Sequence, residues 1–246
     1  MIQPWRIARR TKASYMDATI YSDGTYLRNN PDWHADDAAW KAGHIARMLE
    51  RQGVRPFSVM EVGCGSGEVV VQLAKRLAPG TRFTGYDISP NAYTMCSVRT
   101  APNLEFRLGD VLKVEDTWDV ALAIDVFEHV EDCFGFVRAL RERARHKVFH
   151  IPLDLSVQSL ARPGKLMSMR RSAGHIHYFN RDTALALLED TGHRIVDWCY
   201  TSGSTELGTT SWKARAMRLP RNALFRVAPD AAARVLGGYS ILALTE

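Results

Sequence analysis

Residues 59–67, Val59-Met60-Glu61-Val62-Gly63-Cys64-Gly65-Ser66-Gly67, constrain the fold more than any other part of the chain. The run FSVMEV (57–62), bounded by Pro56 and Gly63, reads as a buried strand. It enters a turn with glycines at 63, 65 and 67, which permit a tight bend and close approach of a ligand to the backbone. VVVQLAKRL (69–77) then reads as a helix, whose first N–H groups are free for a polar ligand.

The same alternation continues downstream. Strands are expected at 82–87, 104–110, 118–125 and 147–152, and helices at 91–99 and 133–146. Later come a helix at 182–192, with Asp182 as its N-cap, and strands at 194–201 and 239–245. Strands alternating with helices imply an α/β fold: a doubly wound, mostly parallel, seven-stranded sheet of the Rossmann-like kind. Ligands bind beyond the carboxyl ends of such strands, so Gly63, Asp87, Asp110, Asp125 and Pro152 are expected around one crevice. Upstream, a helix at 34–52 ends at Gly53. Residues 1–55 are read as an N-terminal cap, and 56–246 as the ligand-binding domain. Insertions at about 153–180 and 203–236 are expected to build the acceptor side of the crevice.

Composition narrows the class. A chain of 246 residues that is 46% apolar can bury a core without staples. The basic N-terminus has no apolar signal core, and no apolar run approaches a membrane span. Cys64, Cys96, Cys133 and Cys199 form no CxxC pair, which fits reduced thiols and a cytoplasmic location. Charge is uneven: residues 138–246 carry 17 Lys/Arg against 9 Asp/Glu. That half either attracts an acidic substrate or is an ordinary solvated surface.

The turn selects the ligand. A dinucleotide site wants a third glycine at position 68, which is Glu68 here. Glu61, just before the turn, is unfavourable beside a pyrophosphate. The pattern suits a ligand without phosphates. With these residues the sequence resembles the class I S-adenosylmethionine-dependent methyltransferases over about 57–152. E-V-G-C-G-S-G matches their first motif, and Tyr86-Asp87-Ile88-Ser89 the acidic end of their second strand. Leu108-Gly109-Asp110-Val111 matches the third-strand motif, and Asp125-Val126-Phe127-Glu128-His129-Val130 the fourth. The resemblance implies S-adenosylmethionine as cofactor. It implies that Asp87 binds the ribose hydroxyls with Ile88 beside it, that Asp110 and Val111 meet the adenine, and that Asp125 and Val126 line the methionine moiety. Asn30-Pro31-Asp32-Trp33-His34 further resembles a bacterial branch with an N-P-x-W-H segment, which names no reaction. From chemistry alone, Asp87 is a ribose ligand or a helix cap, and Asp110 a cofactor contact or a turn residue. Glu61 meets the ligand's amino group or caps backbone N–H groups.

For the acceptor, methyl transfer needs positioning and, at a hydroxyl, proton removal. His129, His175 and His177 are the candidate bases, and His150 reads as a core histidine. Tyr26, Trp33 and His34 are expected to fold over the crevice and contact substrate; Trp40 reads as packing of the helix on the sheet. Arg170 and Arg171 are candidates for holding an anionic acceptor such as a sugar nucleotide. The expected reaction is therefore methyl transfer to oxygen, with nitrogen second, on a small polar molecule.

Other readings compete, and an NAD-dependent oxidoreductase, which shares the sheet, is disfavoured by the glycine spacing. Base N-methylation wants an N/D-P-P-Y/F tetrad where DVFE stands, and C5 chemistry wants a Pro-Cys that is missing; both speak against nucleic acid. A protein acceptor, or S-adenosylmethionine binding without catalysis, stays open. No metal is expected, since no ligand set is compact in sequence.

Overall fold

The computed structural model describes Arg28, residues 35–207 and residues 212–246. Tyr26, Trp33, His34 and the N-P-x-W-H segment lie outside the described residues. A single 3-10 turn, Ala35–Asp37, leads into α1, Ala38–Arg51. The alternating part follows as β1 (Ser58–Val62), α2 (Glu68–Ala74), β2 (Arg82–Asp87), α3 (Pro90–Ser97), β3 (Leu104–Leu108), β4 (Trp118–Ile124), α4 (Cys133–Leu140) and β5 (Ala144–Pro152). Then come α5 (Val157–Leu160), α6 (Lys165–Ser172), α7 (Arg181–Asp190), β6 (Ile195–Thr201), α8 (Gly203–Glu206), α9 (Trp212–Val227), α10 (Pro229–Leu236) and β7 (Ser240–Thr245).

The seven strands form one sheet in the order β3-β2-β1-β4-β5-β7-β6. β7 is antiparallel to both β5 and β6, and the other pairs are parallel. Strand order reverses between β1 and β4, which puts the crevice at their carboxyl ends. The central strands are buried on both faces, as their continuous apolar runs require: Val120 to Leu122 in β4 and Val148, Phe149 and Ile151 in β5 are all essentially inaccessible. On one face Ile45, Met48 and Leu49 of α1 pack with Val59, Val70, Leu73 and Phe83. This half of the expected cap is thus built into the domain core. The other face packs α4 and α7 through Val137, Leu140, Ala184 and Leu187.

Two departures from expectation have a clear local cause. The helix expected over 133–146 stops at Leu140, and a 3-10 turn at 141–143 leads into β5 at Ala144. Pairing of Ala144 with Trp118 begins the ladder there, so sheet hydrogen bonding overrides the helix propensity of the Arg/Glu-rich stretch. α7 is capped by Asn180, not Asp182. Asn180 accepts from the Thr183 N–H, and Thr183 Oγ1 accepts from the Asn180 N–H, a closed capping box.

Behind α4, His193 is buried between Thr245 Oγ1 at 3.0 Å and the Val137 carbonyl at 2.9 Å. Burial pushes this imidazole down to about 4, so it is neutral in the folded chain. A depressed folded value means that its contribution is complete above the unfolded pKa near 6.5 and is lost as pH falls toward 4. About 2–4 kcal/mol of stability is expected to go across that window. Urea unfolding at pH 7, 5.5 and 4 should show the loss, and His193→Gln should flatten it; an equally steep curve in the variant would exclude His193 as the cause.

Candidate active site

The glycine turn is held by a carboxylate. Gly63, Gly65 and Gly67 all have positive φ, so the chain doubles back between β1 and α2. Asp87 at the end of β2 accepts the Gly65 N–H at 2.9 Å on one oxygen and the Ser89 N–H at 2.8 Å on the other. Ser89, not Asp87, caps α3. The Ile88 N–H is a third donor to this carboxylate, which still has acceptor capacity for a ligand. Ile88 beside it is 63% exposed, an apolar surface at the strand end.

Next to the turn opens a crevice of about 310 Å³. Gly63, Cys64, Gly65 and Glu61 form its turn side, and Asp125 and Pro152 come from the ends of β4 and β5. Asp87 and Asp110, expected in the same crevice, are not among its lining residues. Asp110 instead accepts the Leu112 N–H and caps the turn at 111–113, where Val111 is buried. Val126 packs against Gly63, where an added Cβ would lie 2.9 Å from Cγ2. Glu61 is fully enclosed. Burial pushes its carboxyl well up, and the Val70 N–H holds it only in part, since one oxygen has no partner among the described residues.

One wall is a charge network that sequence reasoning missed. Lys41 of α1 pairs with Asp125 at 2.8 Å and with Asp37 at 2.9 Å. Asp125 also meets His150 Nδ1 at 2.6 Å, and His150 Nε2 meets Thr201 Oγ1 at 2.9 Å. Burial opposes ionisation of Asp125, but His150 and Lys41 outweigh it and hold the carboxyl well below its usual range. For Lys41 burial likewise opposes the charge, and Asp125 and Asp37 outweigh it and hold the amine above its usual range. The His150 ring is thus more than core packing: it lines the crevice with both nitrogens engaged. Trp40 also faces the crevice, and its indole N–H donates to Glu206 of α8 at 2.9 Å.

Glu128, His129 and His175 also line the crevice. His175 Nδ1 meets Asp154 at 2.6 Å, which leaves Nε2 to the crevice. The loop that carries His175 is tied to the 127–129 turn, because the N–H groups of Ile176 and His177 both donate to the Glu128 carbonyl. His177, the other candidate base, spends Nε2 on the Val130 carbonyl at 2.8 Å and does not line the crevice. It anchors the loop that delivers His175. Arg170 and Arg171 end α6 outside the lining residues, and the chain reaches the crevice beyond them, at Ala173 and His175. A second cavity of about 550 Å³ lies at the amino ends of β1 to β4, away from the glycine turn.

Comparison with known proteins bears on the family and the fold. The profile of a family described as a methyltransferase domain matches residues 33–197. The chain is 29% identical over 108 residues to norajmaline N-methyltransferase of Rauvolfia serpentina, covering 41% of this chain and 36% of that protein. It is 26% identical over 128 residues to trans-aconitate 2-methyltransferase of Deinococcus radiodurans, covering 52% and 43%. The chain thus matches about two fifths of the length of these curated relatives. Its fold is similar to that of the N-methyltransferase NodS from Bradyrhizobium japonicum, solved with S-adenosyl-L-homocysteine, with TM-score 0.59, 18% identity and coverage of 93% and 98%. Among the described residues no helix is long and apolar enough to cross a membrane. With the matched profile spanning most of the chain, the protein belongs to the methyltransferase domain family.

Proposed function

We propose that the protein transfers the methyl group of S-adenosylmethionine to an oxygen of a small polar molecule held in the crevice. The observation that carries this reading is that Glu128, His129 and His175 line the same crevice as the glycine turn. Ribose would lie against Asp87 and adenine over Ile88, toward Asp110. The methionine end would enter the crevice past Gly63 and Gly65, where Glu61 and Asp125 meet its amino group. The acceptor oxygen then attacks the methyl carbon in line. The carbon–sulfur bond breaks with its electron pair going to sulfur, and the hydroxyl proton leaves on the side of His175 and His129. Transfer to nitrogen needs the same alignment and is the second form of the reading; the relatives include an N-methyltransferase.

Calorimetric titration with S-adenosylmethionine, S-adenosylhomocysteine and NAD⁺ tests the cofactor. Both sulfur ligands should bind and NAD⁺ should not; the reverse pattern would overturn the reading. Asp87→Asn should weaken S-adenosylhomocysteine by about 1–3 kcal/mol, from lost charge-assisted bonds. The penalty for its 2′-deoxyribose analogue should shrink in the variant, which separates ribose binding from loss of the Gly65 clamp. An unchanged penalty would remove Asp87 from the ribose.

A further inference from the structure

The crevice residues Glu128, His129 and His175 together have the chemistry of a metal site. Glu128, His129 and His175 each place one donor atom within 4.8 Å of the others. Glu128 is 0% exposed, and neither of its carboxylate oxygens has a hydrogen-bond partner among the described residues. A carboxylate removed from water is costly unless a proton neutralises it or a cation meets it, and the nearest cationic partner is His129, whose Nε2 lies 3.9 Å from Oε1. Lys41 is the nearby ammonium, but it is held by Asp37 and Asp125. His175 is prepared for a different partner. Asp154 fixes its Nδ1–H at 2.6 Å, so the lone pair on Nε2 points to the crevice. A carboxylate behind a histidine is the usual support of a metal-bound imidazole. The backbone also converges here, because the Glu128 carbonyl accepts from both Ile176 and His177 and locks the two ligand-bearing segments together.

We infer that Glu128, His129 and His175 bind one divalent first-row transition ion in the crevice, with Asp154 orienting His175. Two imidazoles and one carboxylate suit zinc, manganese, cobalt or iron better than calcium. Metal–ligand distances of about 2.0–2.2 Å require the donors to close by roughly 1 Å. Three protein ligands leave positions open to the crevice, as a site that binds substrate needs. The ion's part in the reaction rests on the methyl-transfer reading; its binding does not. It would hold the acceptor oxygen and acidify its hydroxyl, so that the proton passes to solvent and His175 and His129 act as ligands instead of bases. Sequence spacing hid the set because His175 reaches Glu128 and His129 only through the fold.

The test uses tag-free, chelator-treated protein titrated with Co²⁺ alone and read by its visible ligand-field absorption. Saturation at one equivalent is expected. Glu128→Gln and His175→Ala should abolish it, and Asp154→Asn should weaken it roughly 10–100-fold. His146→Ala, at the far end of β5, should leave it unchanged. Thermal melting by circular dichroism shows which variants fold; if Glu128→Gln does not, His129→Asn takes its place. No saturable spectrum, or equal affinity in the ligand variants, would overturn the site. Protein that binds S-adenosylhomocysteine but no Co²⁺ would overturn this inference while leaving methyl transfer standing. Protein that binds Co²⁺ but neither sulfur ligand would support the metal site and overturn the other reading.

Discussion

Gly67→Ala should lower the melting temperature by about 5–15 °C and reduce binding of S-adenosylhomocysteine. Two costs add. Gly67 has φ +74°, a left-handed conformation that costs an alanine about 1–2 kcal/mol. The new Cβ would also lie 2.5 Å from Phe106 Cε1 and 2.8 Å from Cys96 Cβ. Phe106 and Cys96 are both buried, so neither has solvent to retreat into, and overpacking of this kind costs about 1–3 kcal/mol. The sum, about 2–5 kcal/mol, converts at roughly 2–4 °C per kcal/mol for a chain of this size. Two other glycines separate the terms. Gly53 has φ +67° and open space around it, so Gly53→Ala should show the backbone cost alone. Gly80 has open space and no left-handed φ, so Gly80→Ala should be close to neutral. Differential scanning calorimetry of the three variants checks the order. If Gly67→Ala melts no lower than Gly53→Ala, Phe106 and Cys96 yield to the new methyl group and the packing cost is absent.

That turn was legible in the sequence because its determinants are local. An apolar run, three alternating glycines and a helix specify a bend whichever sheet surrounds them. The strands from β1 to β5 were legible for a related reason: each is a short apolar run with a break on both sides. Where local signals compete, the sequence misled. The Arg/Glu-rich stretch at 141–145 favours a helix, and only the ladder from β4 makes Ala144 the first residue of a strand.

The crevice was half legible. Its turn side belongs to one contiguous motif. Its two other walls are assembled from distant segments. Lys41 carries no signal of its own, since a lysine in the first turns of an amphipathic helix is ordinary; it becomes a buried cation only because α1 crosses the end of β4. His150 sits in an apolar strand just before Pro152, at the strand end where ligands bind, and that position was the available clue. The pair His175 and His177 was found, but alternation could not say which one faces inward. A backbone carbonyl decides that, since Val130 takes His177 and leaves His175 to Asp154.

Asp125→Asn should be the other severe substitution, and it is the cleanest probe of the charge network. Asp125 has φ +53°, which a β-branched residue would resist and asparagine tolerates, so the backbone is kept while the charge is removed. The change leaves Lys41, 8% exposed, with Asp37 alone, and takes the anion from His150. Breaking a buried ion pair costs about 3–5 kcal/mol. Asp125 opens on one side to the crevice, so the lower end, about 2–4 kcal/mol, is expected. The pH dependence has a definite sign. Partners hold the folded carboxyl below its ordinary value, so its contribution is complete above the unfolded pKa and is lost as pH falls below about 4. Asp125→Asn should therefore be less stable than the parent at pH 7, with the gap narrowing in acid. A double-mutant cycle with Lys41→Met assigns the loss. If the pair carries it, Asp125→Asn should cost much less in the Lys41→Met background, whereas additive effects would place the loss in the His150 contact, because that contact survives in both backgrounds.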